Sequence, residues 1–269
     1  METAISRFSL MSVILLGAIA IVGCGSSGTP PTATSGQAQG KPSAPGAAAT
    51  TSTTSKTPSG TLPNYHPNID PAKFTTTIDN PYFPLKPGTT HILIGKRDGA
   101  PTRHRLEVTN QTKRVLGVDT VVIKDTVTSN HSLIEKTTDW YAQDTKGNVW
   151  YFGEQTAEYA NGVVTNTQGS WEAGVDNALP GIIMPANPKP GPWYQQEYRP
   201  GIALDKGKIL ADNLTVTVNG KTYHNVIKEH DVNPLDPSLK EYKWFAPGIG
   251  TLKTIRSGGG HTETAAIVG

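Results

Sequence analysis

Six acidic residues lie within a short part of the sequence: Glu154, Glu158, Glu172, Asp176, Glu197 and Asp205. Paired carboxylates can serve as general acid and base in glycoside hydrolysis, where they face each other across roughly 5–10 Å. Three aromatic residues that could stack on sugar rings lie in the same region, namely Trp150, Trp171 and Tyr194. Glu154, Glu172, Asp176 and Glu197 are therefore candidate catalytic carboxylates of a glycan hydrolase. Spacing alone leaves open that they are solvated or paired with lysine and arginine.

Other catalytic chemistries have less support in the sequence. The seven histidines show neither the H-x-H nor the H-x-x-x-H spacing of zinc sites, and the single cysteine is far from them in sequence. No Gly-x-Ser-x-Gly motif is present, so a serine nucleophile on a strand-to-helix turn is not indicated. The sequence predicts no metal and no cofactor, and it favours a protein that is not an enzyme.

The stretch GSWEAGVDNALPGIIMPANPKPG, residues 169–191, combines many prolines with a short apolar run. Proline fixes φ and removes a backbone donor, so we expect an ordered irregular loop here, neither a strand nor a flexible tether. Ile182, Ile183 and Met184 could plug one open end of a β barrel. Alternatively, they could line a ligand-binding site with Trp150, Trp171 and Tyr194, since long ordered loops are often functional.

The N-terminus has the pattern of a secretory signal. Arg7 precedes an apolar run over residues 10–22, which is shorter than the roughly 20 residues that a bilayer core requires. Ile21-Val22-Gly23-Cys24 resembles the lipobox of bacterial lipoproteins. We therefore expect residues 1–23 to be a lipoprotein signal peptide and Cys24 to carry the lipid, with palmitate among its acyl chains.

Composition divides the remainder into two parts. Residues 24–67 are rich in Ser, Thr, Pro, Ala and Gly and contain little that could be buried, which predicts a disordered tether. Residues 68–269 are long enough for one globular domain with a substantial core. The formal charge of +2 and the absence of long basic runs argue against nucleic acid as a partner.

The domain sequence is dominated by period-two segments separated by turn residues, which predicts a mostly β fold. The predicted strands cover residues 91–97, 104–109, 113–127, 133–143, 149–154, 194–198, 209–218, 221–230, 240–246, 250–257 and 261–268. Turns are predicted at residues 144–148 and at Asn219-Gly220. Short helices are predicted at residues 71–74 and 201–210. We expect a single domain formed by a curved antiparallel sheet or half-barrel.

Four segments resemble a family of secreted bacterial lipoproteins of unassigned function: DNPYFPLKPG, DWYAQDTKGNVWYFGE, PGIIMPA and YKWFAPGIG. The first and last are also similar to envelope proteins that share the carrier fold of lipoprotein chaperones such as LolA. That resemblance implies a curved antiparallel sheet around an apolar groove. It implies no catalytic residue.

The leading hypothesis is a lipid-anchored cell-envelope lipoprotein that binds an apolar ligand or an envelope protein without transforming it. The expected location is the extracytoplasmic side of the cell membrane, or the outer membrane in a two-membrane cell. A monomer is expected. The alternatives are the glycan hydrolase with paired carboxylates and a structural envelope protein without a ligand.

Overall fold

The computed structural model describes residues 65–268. The predicted signal peptide, Cys24 and nearly all of the predicted tether lie outside the described residues. Tyr65, three residues before the predicted domain start, already contacts the domain: its hydroxyl donates to the Pro180 carbonyl at 2.6 Å. Within the described part, no helix has the length and apolar composition to cross a bilayer.

The described residues form one three-residue 3-10 turn, Pro71–Lys73, and sixteen strands. In chain order the strands are β1 (Phe74–Thr75), β2 (Thr90–Arg97), β3 (Ala100–Val115), β4 (Val118–Ser129), β5 (Ser132–Asp144), β6 (Val149–Ala160), β7 (Val163–Asn166), β8 (Trp171–Glu172), β9 (Leu179–Met184), β10 (Tyr194–Gln195), β11 (Glu197–Tyr198), β12 (Lys206–Val218), β13 (Lys221–Asn233), β14 (Asp236–Ala246), β15 (Gly250–Gly258) and β16 (His261–Ile267). The predicted mostly β fold is confirmed.

All sixteen strands belong to one antiparallel sheet that nearly closes into a barrel. The strand order is β10-β12-β13-β14-β15-β16-β2-β3-β4-β5-β6-β9-β11, with β1 on β5 and with β7 and β8 on β6. The two end strands, β10 and β11, are consecutive in the chain and are separated by Gln196 alone. Residues 194–198 therefore bring the two edges of the sheet together.

Four local predictions are wrong. The single strand predicted over residues 194–198 is two strands, β10 and β11, which lie at opposite ends of the strand order. The strand predicted over residues 113–127 is two strands, because Leu116 and Gly117 adopt positive φ and form the β3–β4 turn. Residues 201–210 form no helix, and β12 begins at Lys206. The segment predicted to be irregular contains β9, which pairs with β6 and β11. Pro180 is tolerated in β9 because its partner strand, β11, is only two residues long. The missing backbone donor therefore costs few sheet hydrogen bonds.

The predicted turns at residues 144–148 and at Asn219-Gly220 are confirmed. Asn219 and Gly220 have φ of 50° and 79°, the positive values that a two-residue hairpin turn requires. Asp144 Oδ1 accepts hydrogen bonds from the amides of Lys146 and Asn148, both at 2.9 Å. These contacts fix the β5–β6 hairpin and its aromatic pair, Tyr141 and Tyr151, whose rings stack at 4.6 Å.

The main hydrophobic cluster combines inward side chains of the sheet with the segment before β2. Phe83 contacts Tyr141 and Phe245 edge-on or tilted, with ring centroids 5.6 and 6.4 Å apart. Ile183 and Met184 of β9 are buried in the same cluster. A second cluster around Val226 and Leu252 lies between β12, β13 and β15. Apolar side chains thus fill a large part of the interior, and the remaining inward positions are polar.

Candidate functional site

Ten acidic residues are buried on the inward-facing side of the sheet or at its closure. We call them the carboxyl cluster: Asp125, Glu135, Asp139, Glu154, Glu197, Asp205, Glu229, Asp231, Glu241 and Glu263. Side chains an even number of residues apart on a strand share a face, which places Glu229 with Asp231 and Glu135 with Asp139. Cross-strand pairing then joins the strands, because Asp231 is opposite Glu241 and Asp139 is opposite Glu154.

Glu197 and Asp205 form a carboxyl pair where the sheet closes. Both are fully buried, and within the described residues neither carboxyl receives a hydrogen bond from another donor. Burial raises the pKa of Glu197 well above its usual range, and the charges of Asp205 and Glu154 raise it further. Burial also raises the pKa of Asp205. A proton shared between the two carboxyls supplies the missing donor, since like charges this close cannot both ionise.

Lys243 is the cation of the neighbouring part of the cluster. Its ammonium nitrogen lies 2.7 Å from Asp231 Oδ2 and 3.5 Å from Glu241 Oε2, with all three side chains buried. The charges of Asp231, Glu241 and Glu229 raise the pKa of Lys243 although burial opposes them. Glu229 also accepts hydrogen bonds from the Tyr194 hydroxyl and from Gln196 Nε2, the latter at 2.9 Å.

A third group contains a buried arginine. Arg97 Nε donates to Glu263 Oε2 at 3.0 Å, and His104 Nε2 lies 3.2 Å from Glu263 Oε1. Burial lowers the pKa of His104 despite the neighbouring Glu263 carboxylate, so the ring is neutral at pH 7. Asp125, Glu135 and Asp139 lie further along the interior, where burial raises the pKa of each to about 8.

The structure separates the four predicted catalytic carboxylates into two pairs. Glu154 and Glu197 both belong to the carboxyl cluster and are 1% and 0% exposed. Glu172 and Asp176 lie elsewhere, at the surface. Glu172 accepts a hydrogen bond from Lys113 at 2.7 Å, and Asp176 accepts one from Arg199 at 2.8 Å. A substrate has no open access to the buried pair, and the surface pair is engaged in ion pairs.

The predicted ligand-binding residues are packed mainly against the protein itself. Trp171, Ile183 and Met184 are buried, and Ile182 is half-buried in β9. Trp150 is half-buried, and its indole nitrogen donates to Asp144 Oδ2 at 2.9 Å. Tyr194 reaches the carboxyl cluster through its hydroxyl. The apolar pocket described at the Phe83 end of the interior has a volume of only about 30 Å³.

A metal centre is not formed by the side chains that the structure describes. Among residues 65–268, no group of three or more His, Cys, Asp or Glu has the geometry to hold a metal ion.

The outward-facing side of β12–β16, β2 and β3 carries basic residues, in contrast to the acidic interior. Two cross-strand rows of outward residues run across these strands. We call them the basic aromatic face. One row contains Lys208, His230, Tyr242, Ile255, Thr264 and Lys96. The other contains Lys228, Trp244, Lys253, Ala266, Ile94 and Arg103. None of these twelve residues is acidic. Glu229, Asp231, Glu241 and Glu263 of the same strands point inward, whereas Glu107 of β3 is partly exposed beside Arg105.

Lysines lie directly over the aromatic rings of this face. The Lys228 ammonium is 4.4 Å from the Tyr242 ring centroid, and Lys253 is 4.4 Å from that of Trp244. His230 stacks on Tyr242 at 4.6 Å. Ile94 and Ile255 are 52% and 40% exposed beside these groups. The face thus combines cations, rings with polar tips and exposed aliphatic side chains.

Sequence reasoning missed this face and most of the carboxyl cluster. The signal that could have found both is the alternation Lys-Glu-His-Asp at residues 228–231, followed by Lys-Glu-Tyr-Lys at residues 240–243. On a strand, this pattern places the acids on one side and the basic or aromatic residues on the other, with Lys243 alone among the basic residues on the acidic side. The sequence does not reveal which side faces the interior.

Two solved structures show a distant likeness to the chain. One is a protein of Bacteroides fragilis NCTC 9343, provisionally named as exported, with a YmcC-like fold; it has 13% identity and a TM-score of 0.38, with 69% of this chain and 96% of that chain covered. The other is a provisionally named lipoprotein of Parabacteroides distasonis ATCC 8503, with 12% identity, a TM-score of 0.35 and the same coverage. No protein-family model and no curated protein sequence matches the chain. Likeness at this level does not assign a function.

Proposed function

We propose that the protein is a cell-envelope lipoprotein, anchored through Cys24, whose β domain binds an anionic partner on the basic aromatic face without catalysing a reaction. The anchor rests on the lipobox-like sequence Ile21-Val22-Gly23-Cys24. The binding role rests on one observation: Glu229, Asp231, Glu241 and Glu263 point inward, while the lysines and aromatic rings of the basic aromatic face point outward from the same part of the sheet. The proposed location is the extracytoplasmic side of the membrane.

The distribution of charge supports an anionic partner. The formal charge of the whole chain is only +2, but among the described residues ten carboxyl-bearing side chains are buried with Arg97 and Lys243 as the fully buried cations and with Arg256 half-buried beside them. The solvent-facing surface is consequently much more basic than the sequence total suggests. Such a surface attracts anions and accelerates their encounter with the protein.

The interior gives less support to the other functions considered. A glycosidase needs two carboxyl groups facing each other across an accessible cleft, whereas Glu154 and Glu197 are buried. A carrier of an apolar ligand needs a cavity of several hundred cubic ångströms. The apolar pocket described in the interior is far smaller. The outer face is accessible and chemically distinctive.

Retention on immobilised dextran sulfate, a soluble polyanion, tests the proposed function. The protein is the chain from residue 25 onward, which retains every described residue and lacks the lipid. We expect retention that weakens with salt and that falls in Lys228→Gln/Lys253→Gln. The matched control is Lys124→Gln/Lys136→Gln, which makes the same charge change on the outward side of β4 and β5. Equal loss in both variants, or no retention of the parent chain, would contradict the proposal.

A further inference from the structure

We infer that the anionic partner is a lipid bilayer: the basic aromatic face lies against the headgroups of an anionic membrane. This inference rests on the proposed function, since it names the partner of the same face. Four features of the face favour a lipid surface over a soluble polyanion.

The first feature is the extent of the face. Its rows cross seven neighbouring strands, from β12 through β16 to β2 and β3. At a strand spacing of about 4.8 Å, they extend over roughly 25–30 Å. A surface of that width presents several cations at once to a charged plane.

The second feature is the position of the aromatic residues. Tyr242 and Trp244 of the face are half-buried, as is Trp193, whose ring lies 5.4 Å from that of His230. Lysine ammonium groups lie near these rings: Lys208 is 5.8 Å from Trp193, and Lys228 is 5.0 Å from Trp244. The rings of Tyr242 and Trp244 thus have lysines over them, which leaves less open surface for stacking on a sugar. Tryptophan and tyrosine with adjacent lysine are instead the residues favoured at a membrane–water interface.

The third feature is the exposed aliphatic surface. A soluble polyanion gains little from Ile94 and Ile255, whereas a bilayer can bury both at the boundary of headgroups and acyl chains. These two side chains lie in the same two rows as the lysines, so cations and apolar groups would reach the membrane together.

The fourth feature is a depression where the face reaches β2 and β3. It has a volume of about 430 Å³ and is lined by Ile92, Ile94, Ile267, Val268 and Arg103, together with Thr90 and His91. A lining that combines isoleucines with an arginine matches the chemistry of a phospholipid: the guanidinium can bind the phosphate, and the isoleucines can contact the glycerol and the first methylenes.

Vesicle flotation tests the inference with the chain from residue 25 onward, so that no lipid anchor drives binding. The probes are vesicles of phosphatidylcholine alone and vesicles containing about one third phosphatidylglycerol. We expect binding to the anionic vesicles only, decreasing with salt. Lys228→Gln/Lys253→Gln should weaken it about 25-fold, because each lysine near an anionic leaflet contributes roughly fivefold.

A second pair of variants distinguishes a bilayer from a soluble polyanion. Ile94→Ser/Ile255→Ser should weaken vesicle binding by about tenfold through lost apolar burial, and it should weaken dextran sulfate binding much less, because a soluble polyanion does not bury these side chains. The matched control is Val163→Ser/Val164→Ser, two exposed aliphatic residues of β7, which are 65% and 48% exposed. We expect that control to bind vesicles like the parent chain. Far-UV circular dichroism and thermal melting establish that all variants are folded.

Each result decides between the two proposals. The lipid inference is overturned if the chain binds dextran sulfate but not vesicles, or if the two aliphatic variants affect vesicle binding equally. Either result leaves the proposed function in place. Absence of binding to both probes overturns both.

Discussion

At the scale of single residues, Lys243 is the cation on which part of the carboxyl cluster depends. It contacts Asp231 and Glu241 and is under 5% exposed, as are both partners. A buried ion pair contributes modestly compared with apolar packing, but removing one member leaves the other uncompensated in a low-dielectric interior. The cost of losing Lys243 should therefore come from the carboxylates that remain.

Lys243→Met should destabilise the fold by about 3–5 kcal/mol at pH 7, because Asp231 and its neighbours lose their counter-charge. Lys240→Met, on the same strand with an exposed side chain, is the matched control and should change the free energy of unfolding by less than about 0.5 kcal/mol. Urea denaturation at pH 7 and pH 5 measures both. The defect should be smaller at pH 5, where more carboxyls are protonated. A Lys243→Met protein as stable as the control at pH 7 would contradict this account.

The sequence identified some of these residues and not others, for a physical reason. Glu154 and Glu197 were selected because they lie near each other along the chain, and the structure places both in the cluster. Asp139, Asp231 and Glu241 were outside that region of sequence. Asp139 is opposite Glu154 in the β5–β6 hairpin, whereas Asp231 and Glu241 share an interior with Glu154 and Glu197 because the sheet nearly closes. Proximity across a closed sheet leaves no signal in linear spacing.

At the scale of elements, closure depends on the close approach of β9 to residues 195 and 196. Gly181 lies at this contact. A Cβ at this position would lie 2.3 Å from the Gln196 carbonyl oxygen and 2.7 Å from that of Gln195. Both neighbours are backbone atoms, so a side chain would have to displace the segment that joins β10 to β11. The glycine of the PGIIMPA motif is thus required by packing.

Gly181→Ala should lower the free energy of unfolding by about 2 kcal/mol or more, since overpacking against backbone cannot be relieved by a rotamer change. Amide hydrogen exchange at residues 194–198 should accelerate, because the closing segment is pushed away. Gly191→Ala is the control: its Cβ would find its nearest neighbour, the Lys189 carbonyl oxygen, at an ordinary 3.5 Å. If Gly181→Ala and Gly191→Ala show the same stability and exchange, β9 does not govern closure.

Strands with regular alternation were predictable from sequence, and those at the closure were not. The hairpins from β12 to β16 were anticipated within a few residues because their period-two pattern and turn residues are local signals. β9 was missed because Pro180 and Pro185 around Ile182, Ile183 and Met184 oppose a strand locally. Tertiary pairing with β6 overrides that preference.

At the scale of the whole molecule, the separation of charge makes stability depend on pH in an unusual direction. Burial raises the pKa of Asp125, Glu135 and Asp139 to about 8 and that of Glu241 to about 7. In the unfolded chain, the same groups titrate near pH 4. The folded protein therefore binds more protons than the unfolded chain between these limits.

Stability should consequently be greatest near and below pH 4, as far as these groups determine it, and should fall as pH rises towards 8. Over this range the unfolded chain is ionised while the folded state still holds its protons, so rising pH favours the unfolded chain. Four such groups should together lower the free energy of unfolding by at least about 3 kcal/mol between pH 5 and pH 8. Urea denaturation at pH 5.0, 6.5 and 8.0 in constant ionic strength measures the change.

Asp139→Asn should flatten this dependence of stability on pH, since it removes one of the titrating groups. It keeps an acceptor for the Tyr151 hydroxyl, which lies 2.6 Å from Asp139 Oδ1. A parent chain that becomes more stable from pH 5 to pH 8 would show that the cluster is ionised in the folded state, with its charges compensated by cations such as Lys243 and Arg97.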